Sequence, residues 1–467
     1  MILIRLALLS FSDGRQRVHE ALKADILAHQ ARIQEIAEQT GEIKILTGQE
    51  VICSTDLARQ EAMRVDSLHP DGVIFNIPVF AFPNLSVIAA SLLRAPFLLF
   101  GPQDPRYPGL GGLLGAAGAL SQVGIAHERI WADLHDPTLP GQLLQFGRAS
   151  KAATRLRGQV YGLIGGRSIG MYTGTSPAEV WTRTFGVDVD HVDQSEILRR
   201  AQYISEADAT AARVWLESHV QEICYDGVQL TPEKLDFQIR CWLAVQEIIE
   251  QFSFDFIGLK CHYDMSEFYS TQCLAAAFVN DPYDWRGPKN PVPLSCEADS
   301  DGALTMQIMR LITNRPTSLL DLRFYDRKNN VLVMPNCGAA ATWYAARSSS
   351  PEENLARVRL VPSIVKYAGG GAHVEFTYSP GPVTLARLSR SEAGYHLLVT
   401  HGETVQHRPT EITGAATNWP HAFVRTDVPV QQFVKHMQAN HLHLAAGDCV
   451  EELTLFAKMK NIPCTVL

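Results

Sequence analysis

Two hydrophobic periods alternate along the first third of the chain. "ILIRLALLSF" (residues 2–11) is almost continuously apolar and predicts a buried strand, whereas "RVHEALKADILAHQARIQEIAEQ" repeats its apolar positions at helical spacing. "EIKILTG" returns to strand character, and "DGVIFNIPVF", "SVIAASLL" and "APFLLFG" continue the alternation. Short apolar runs separated by helices predict a parallel, doubly wound sheet covered on both faces. "FGRASKAATRLRG" closes this first unit as a basic helix, and "QVYGLIGGRSIGMYTG" opens a second as a strand entering a glycine-rich turn. A long helical region is predicted over about 205–252, with Thr231-Pro232-Glu233 as a start signal, followed by strands in "FDFIGLKCH" and "VPLSCE".

The pattern changes after about residue 313. "TSLLDLRFYD", "NVLVMPN", "HVEFTYS", "VTLARLSR" and "YHLLVTHGE" are short, turn-bounded strands that predict an antiparallel, β-rich region. Near the end, Pro429 starts a helix predicted to run to about Asn440, and Asp448 and Glu451 predict a capping box for the last helix. The expected fold is therefore α/β: two N-terminal doubly wound α/β domains (1–157 and 158–312) followed by a C-terminal β-rich, barrel-like domain (313–467).

Composition narrows the function. With 46% hydrophobic and 19% charged residues, the 467-residue chain has material for several cores. Its net charge of −8 argues against nucleic acid or an anionic membrane as partner, since both demand a basic surface. Nine cysteines without a C-x-x-C pair predict reduced thiols in the cytoplasm. The N-terminal apolar run is short and interrupted by Arg5, which predicts a core strand, not a leader, and no run is long enough to predict a membrane span. "GLGGLLGAAGAL" lacks the third glycine of a dinucleotide fingerprint, Leu114 standing in its place.

Three stretches carry candidate chemistry. In "VPLSCEADSDGALTMQIMRLI" the alternation of Val292, Leu294 and Cys296 puts Glu297 at the carboxyl end of a strand, where open α/β sheets place ligands. Asp299, Ser300 or Asp301 would cap the helix that follows, so the acidic cluster divides into a cap and a separate Glu297. In "TSLLDLRFYD", Asp321 shares a strand face with Arg323 and Tyr325. In "ANHLHL", His441 and His443 share one face of a short strand. Two carboxylates and an imidazole suit Mn²⁺ or Mg²⁺ with positions left open, and no cysteine companion is expected near them.

Together these stretches resemble the L-fucose isomerase / L-arabinose isomerase group, on the fucose isomerase side. The similarity is carried by "SDGRQRVHEAL", "GGRSIGMYTG…FGVDVDHVDQSEILRR", "CEADSDGALTMQIMRLITNRPTSLLDLRFYD", "YAGGGAHVEFTYSPGPVTLARL" and "ANHLHLAAGDCVEELTLFAKMKNIPC". The resemblance implies a metal-dependent aldose–ketose isomerase acting on an open-chain deoxyhexose or pentose through a cis-enediol. Glu297, Asp321 and His441 would be metal ligands, and Glu297 and Asp321 the acid–base pair. Mn²⁺ is the expected cofactor, with Mg²⁺ or Co²⁺ as substitutes, and the expected assembly is a homo-oligomer, hexameric or trimer-based. Arg15, Lys260, His262, Trp419 and Asn440 are candidate sugar contacts.

The chain departs from the family where it reads Leu259-Lys260-Cys261-His262 in place of a glutamine-rich stretch, and Ala372 in place of an aromatic residue. These positions leave open an anionic sugar, such as a 6-deoxy-6-sulfo hexose, with Lys260 as counter-charge. A non-catalytic sugar-binding protein on the same scaffold is the alternative from another class.

Overall fold

Five strands of the first unit, Ile4–Ser10, Ile43–Thr47, Gly72–Asn76, Phe97–Pro102 and Glu128–Ala132, pair in parallel in the order second-first-third-fourth-fifth. They belong to a computed structural model that describes residues 3–364 and 367–467. Successive side chains of each strand point to opposite faces. Leu9, Phe75 and Leu99 therefore enter one core and Leu8, Ile74 and Phe100 another. Both faces are apolar, which explains why these strands read as continuous hydrophobic runs. The glycine-rich segment is the helix Gly109–Gln122. A Cβ at Gly112 would lie 2.2 Å from the Val79 carbonyl oxygen, so the glycine serves close packing of helix on loop.

This unit comprises Met1–Arg157 and Glu451–Asn461. The late segment brings most of the helix Val450–Met459, whose Glu452 lies 3.4 Å from Arg148 and whose Lys458 lies 2.6 Å from Glu128. At the start of that helix Asp448 accepts a hydrogen bond from the Val450 N–H, two residues on, at 3.1 Å.

The second unit, Gly158–Val450 with Ile462–Leu467, contains two main sheets. One is parallel, in the order Leu294–Cys296, Phe256–Leu259, Val160–Ile164, Asp188–Val192. The other runs Thr317–Asp321, His441–Ala446, Gly381–Ser391, Gly394–Thr404, His421–Arg425, Val331–Pro335, Phe324–Asp326, with every neighbour antiparallel. Cys464–Val466 adds in parallel to Gly394–Thr404. The fold is thus α/β, with parallel sheets toward the N-terminus and an antiparallel sheet toward the C-terminus. The helix Ser300–Thr313 packs against strands of both sheets of this unit and is buried along nearly its whole length.

Two helix expectations change. The region 205–252 is two helices, Glu206–His219 and Pro232–Phe252, separated by a short strand and a turn. Asp226 makes that turn by accepting from the N–H groups of Val228, Gln229 and Leu230. Thr231 does cap the second helix, accepting from Lys234 N–H. The helix after Pro429 ends at His436, not near Asn440. Among the described residues, no helix is long and apolar enough to cross a membrane.

Candidate active site

Glu297 follows the strand Leu294–Cys296 directly, at the carboxyl end of the parallel sheet. It and Ala298 both have left-handed backbones, with φ of 59° and 53°. Two such residues in succession, neither of them glycine, form a costly turn that the surroundings must hold. Asp299 then caps the helix through a 2.9 Å bond from Gly302 N–H, and Tyr161 donates to the Ser300 hydroxyl at 3.0 Å. The tight turn separates the Glu297 side chain from the acidic residues that follow it.

Asp321 ends its strand and His441 begins its own, and the antiparallel register sets these two residues opposite each other. The His441 Nε2 lies 3.6 Å from Asp321 Oδ1 and 3.6 Å from Glu297 Oε2. Two ligands on one ion, each at about 2.1 Å, are no more than about 4.2 Å apart. Each of the two edges at His441 is within that limit, and two carboxylates beside one imidazole suit Mn²⁺ or Mg²⁺; among the described residues, the three donors that all meet one another are those of His262, Glu297 and Cys337. Side-chain exposure rises from 1% at His441 through 12% at Glu297 to 33% at Asp321, so Asp321 forms the solvent side of the cluster.

Asp299 does more than the helix cap expected of it. Its carboxylate accepts from His441 Nδ1–H at 2.8 Å and takes the Arg387 guanidinium at 2.6 and 3.1 Å. Burial opposes charge on Asp299, but Arg387 and His441 outweigh it and hold the carboxyl well below its ordinary range. Burial likewise opposes charge on His441, but the Asp299 bond and the nearby carboxylates raise its pKa. With Nδ1 committed to Asp299, the imidazole presents Nε2 to Glu297 and Asp321 in a fixed orientation. His443 is fully buried and packs beside Gly302.

The expected sugar contacts fall into separate settings. Asn440 donates to Asp321 Oδ1 at 3.3 Å. Lys260 is ion-paired with Asp264, so its ammonium is already engaged. Trp419 is nearly buried beneath the Arg323 guanidinium, 5.4 Å from the ring centre. Arg323 bonds the Gly414 carbonyl and does not form the neighbour pair with Asp321 that local sequence allows. Arg15 belongs to the first unit, where it precedes the helix Gln16–Glu38 and is bound to Asp13. The His262 Nε2 lies 3.4 Å from Glu297 Oε1.

Sequence reasoning missed Arg387, Cys337 and Tyr367. Cys337 places its sulfur 3.7 Å from Glu297 Oε1 and 3.6 Å from His262 Nε2, so the expectation that no cysteine stands beside the carboxylates is wrong. The one local signal for Arg387 is a lone charge inside the otherwise apolar run "VTLARL".

A family model described as the first N-terminal domain of L-fucose isomerase matches residues 3–158, and another, described as its C-terminal domain, matches 334–467. The chain belongs to the L-fucose isomerase family. The L-fucose isomerase matches leave Glu297 and Asp321 outside both stretches and place His441 inside the second. Among curated relatives, a sulfoquinovose isomerase from Alkalicoccus urumqiensis is 22% identical over 407 residues, covering 84% of this chain and 85% of that protein. One from Clostridium sp. (strain MSTE9) is 23% identical, covering 86% and 87%. An L-fucose isomerase from Clostridium perfringens is 22% identical, covering 79% and 76%.

Proposed function

We propose that this protein is an aldose–ketose isomerase of open-chain sugars, with Glu297 and Asp321 as its acid–base pair. The observation that carries the reading is the convergence of both carboxylates on one buried, oriented imidazole, each 3.6 Å from His441 Nε2. Glu297, Asp321 and His441 would hold a divalent cation, Mn²⁺ by preference, which when bound polarises the sugar's carbonyl and hydroxyl oxygens.

The chain's own residues account for the proton traffic. Isomerisation removes a proton from C2 and delivers one to C1, while a proton leaves the C2 hydroxyl and one is gained at O1. Glu297, mostly buried and fixed by its turn, is the base at C2. Asp321, more exposed and held by Asn440, serves the oxygens and the neighbouring carbon. Asp299 and Arg387 do not touch the sugar; they keep His441 in place. Exposed Tyr263, Phe268 and Tyr269, just after His262, support a homo-oligomer that covers this face. Nine cysteines without a C-x-x-C pair support a reducing, cytoplasmic setting.

Glu297→Gln is expected to lower turnover by about 10²- to 10⁴-fold, the usual share of general acid–base catalysis. Wild-type turnover in deuterated water should place solvent deuterium on the product carbon. Full activity in the variant, or complete retention of the substrate hydrogen, overturns the assignment.

A second reading concerns the substrate. Arg323 is exposed, lies two residues beyond Asp321 and is braced on Trp419, which favours a sugar with an anionic tail such as a 6-sulfo hexose. Sulfoquinovose isomerases among the relatives support it. A screen with L-fucose, D- and L-arabinose and 6-sulfo-glucose separates the two.

A further inference from the structure

Glu297 presents its two oxygens to two different groups of side chains. Oε2 lies toward His441, whereas Oε1 lies 3.4 Å from His262 Nε2 and 3.7 Å from the Cys337 sulfur. The third edge of that second triangle, sulfur to Nε2, is 3.6 Å. The three donor atoms thus face one another at 3.4, 3.6 and 3.7 Å.

The triangle has the dimensions of a particular coordination site. Zinc binds thiolate sulfur at about 2.3 Å, imidazole nitrogen at about 2.0–2.1 Å and carboxylate oxygen at about 2.0–2.2 Å. At tetrahedral angles those bonds set nitrogen and oxygen about 3.4 Å apart, and sulfur about 3.6 Å from either. All three observed edges agree with this to within about 0.1 Å. The His262 ring also presents the right atom. The Ser266 hydroxyl stands 3.3 Å from both the Tyr263 carbonyl oxygen and His262 Nδ1, and with its hydrogen on that carbonyl it accepts from Nδ1–H. The lone pair is then on Nε2, which faces the cysteine and the carboxylate. The Tyr367 hydroxyl lies 3.3 Å from the same nitrogen.

We propose that His262, Cys337 and Glu297 form a second metal position, for a soft divalent cation of the Zn²⁺ class, that shares Glu297 with the isomerisation site. Thiolate and imidazole select such an ion over Mn²⁺ or Mg²⁺, which prefer the oxygen-rich side formed with Asp321. Binding releases the Cys337 thiol proton to solvent. A Zn²⁺ ion held there draws on Glu297 and suppresses its action as a base, so zinc inhibits turnover. That inhibitory consequence rests on the isomerase reading; the binding itself does not.

The test uses the full chain, reduced and stripped of metal, titrated with Co²⁺. The expected result is a near-ultraviolet thiolate-to-cobalt absorption that disappears in Cys337→Ser, persists in Asp321→Asn and is displaced by Zn²⁺. Zinc affinity should fall at least about tenfold in Cys337→Ser. No such band in the wild type, its survival in Cys337→Ser or its loss in Asp321→Asn overturns the site. In the wild type, without any substitution, Zn²⁺ but not Mn²⁺ should slow alkylation of Cys337, read by peptide mass; equal rates overturn it as well. A protein inactive on every sugar that still shows the Cys337-dependent band supports this site and removes the isomerase reading alone.

Discussion

His421 illustrates how a single buried ring fixes a protonation state. Its Nε2 accepts the Ala416 N–H at 3.0 Å, so its Nδ1–H donates to the Trp419 carbonyl at 2.9 Å. Burial, aided by Arg323, pushes its pKa down to about 4. The folded state thus favours neutral His421. The stability it contributes is whole above the ordinary value of 6.5 and is lost as pH falls toward 4. At about 1.4 kcal/mol per pH unit, this contribution amounts to about 3 kcal/mol. Urea unfolding between pH 7 and pH 4 should show that decline in the wild type and a shallower one in His421→Gln. Equal slopes would remove His421 as the source. Residues of this kind are hard to read from sequence. Glu297 stands out because strand alternation ends beside it, but the partners of Asp299, namely Arg387 and His441, lie about ninety and one hundred and forty positions away. Local spacing accounts for the cap and is blind to the imidazole that the same carboxylate orients.

At the scale of elements, the site depends on strands meeting without spare room. Gly258 lies in the strand next to Leu294–Cys296, and a Cβ there would be 2.0 Å from the Tyr161 hydroxyl and 3.3 Å from the Ala298 Cα. Tyr161 in turn holds Ser300, at the start of the buried helix. Gly258→Ala should therefore destabilise by about 1–3 kcal/mol through overpacking, and lower turnover further by disturbing the Glu297 turn. Calorimetry and turnover measured on the same variant check both effects; an unchanged melting temperature would show that the turn has slack. The strands, their alternation and the helix start after Glu297 are legible in the sequence because burial on a sheet face imposes a short period. The pairing of Asp321 with His441 is not, because register between distant strands follows from which faces both must bury. The region 205–252 misled although Asp226-Gly227 marks the turn and Thr231-Pro232 the start of the second helix, because the segment between the two helices is short.

At the scale of the whole molecule, the backbone passes between the two units three times, after Arg157, after Val450 and after Asn461. The segment Glu451–Asn461 supplies the first unit with a helix, and Met459 packs beside its core. A fragment of residues 1–157 should therefore melt at a lower temperature than the same fragment with 451–461 attached through a flexible linker, as read by circular dichroism. Equal melting temperatures would make the late helix dispensable. Sequence pattern places a boundary near 157 readily, because a basic helix ends there and a strand begins. It cannot show the return, since nothing in the composition of "VEELTLFAKMKN" tells which core it serves. The triple passage also limits how such a chain can be cut or shuffled. A single nick at residue 157 leaves the first unit still tethered through its late helix, and recombination that exchanges only the first 157 residues brings in a domain that must accept a foreign eleven-residue segment, most of it helical, as part of its own core.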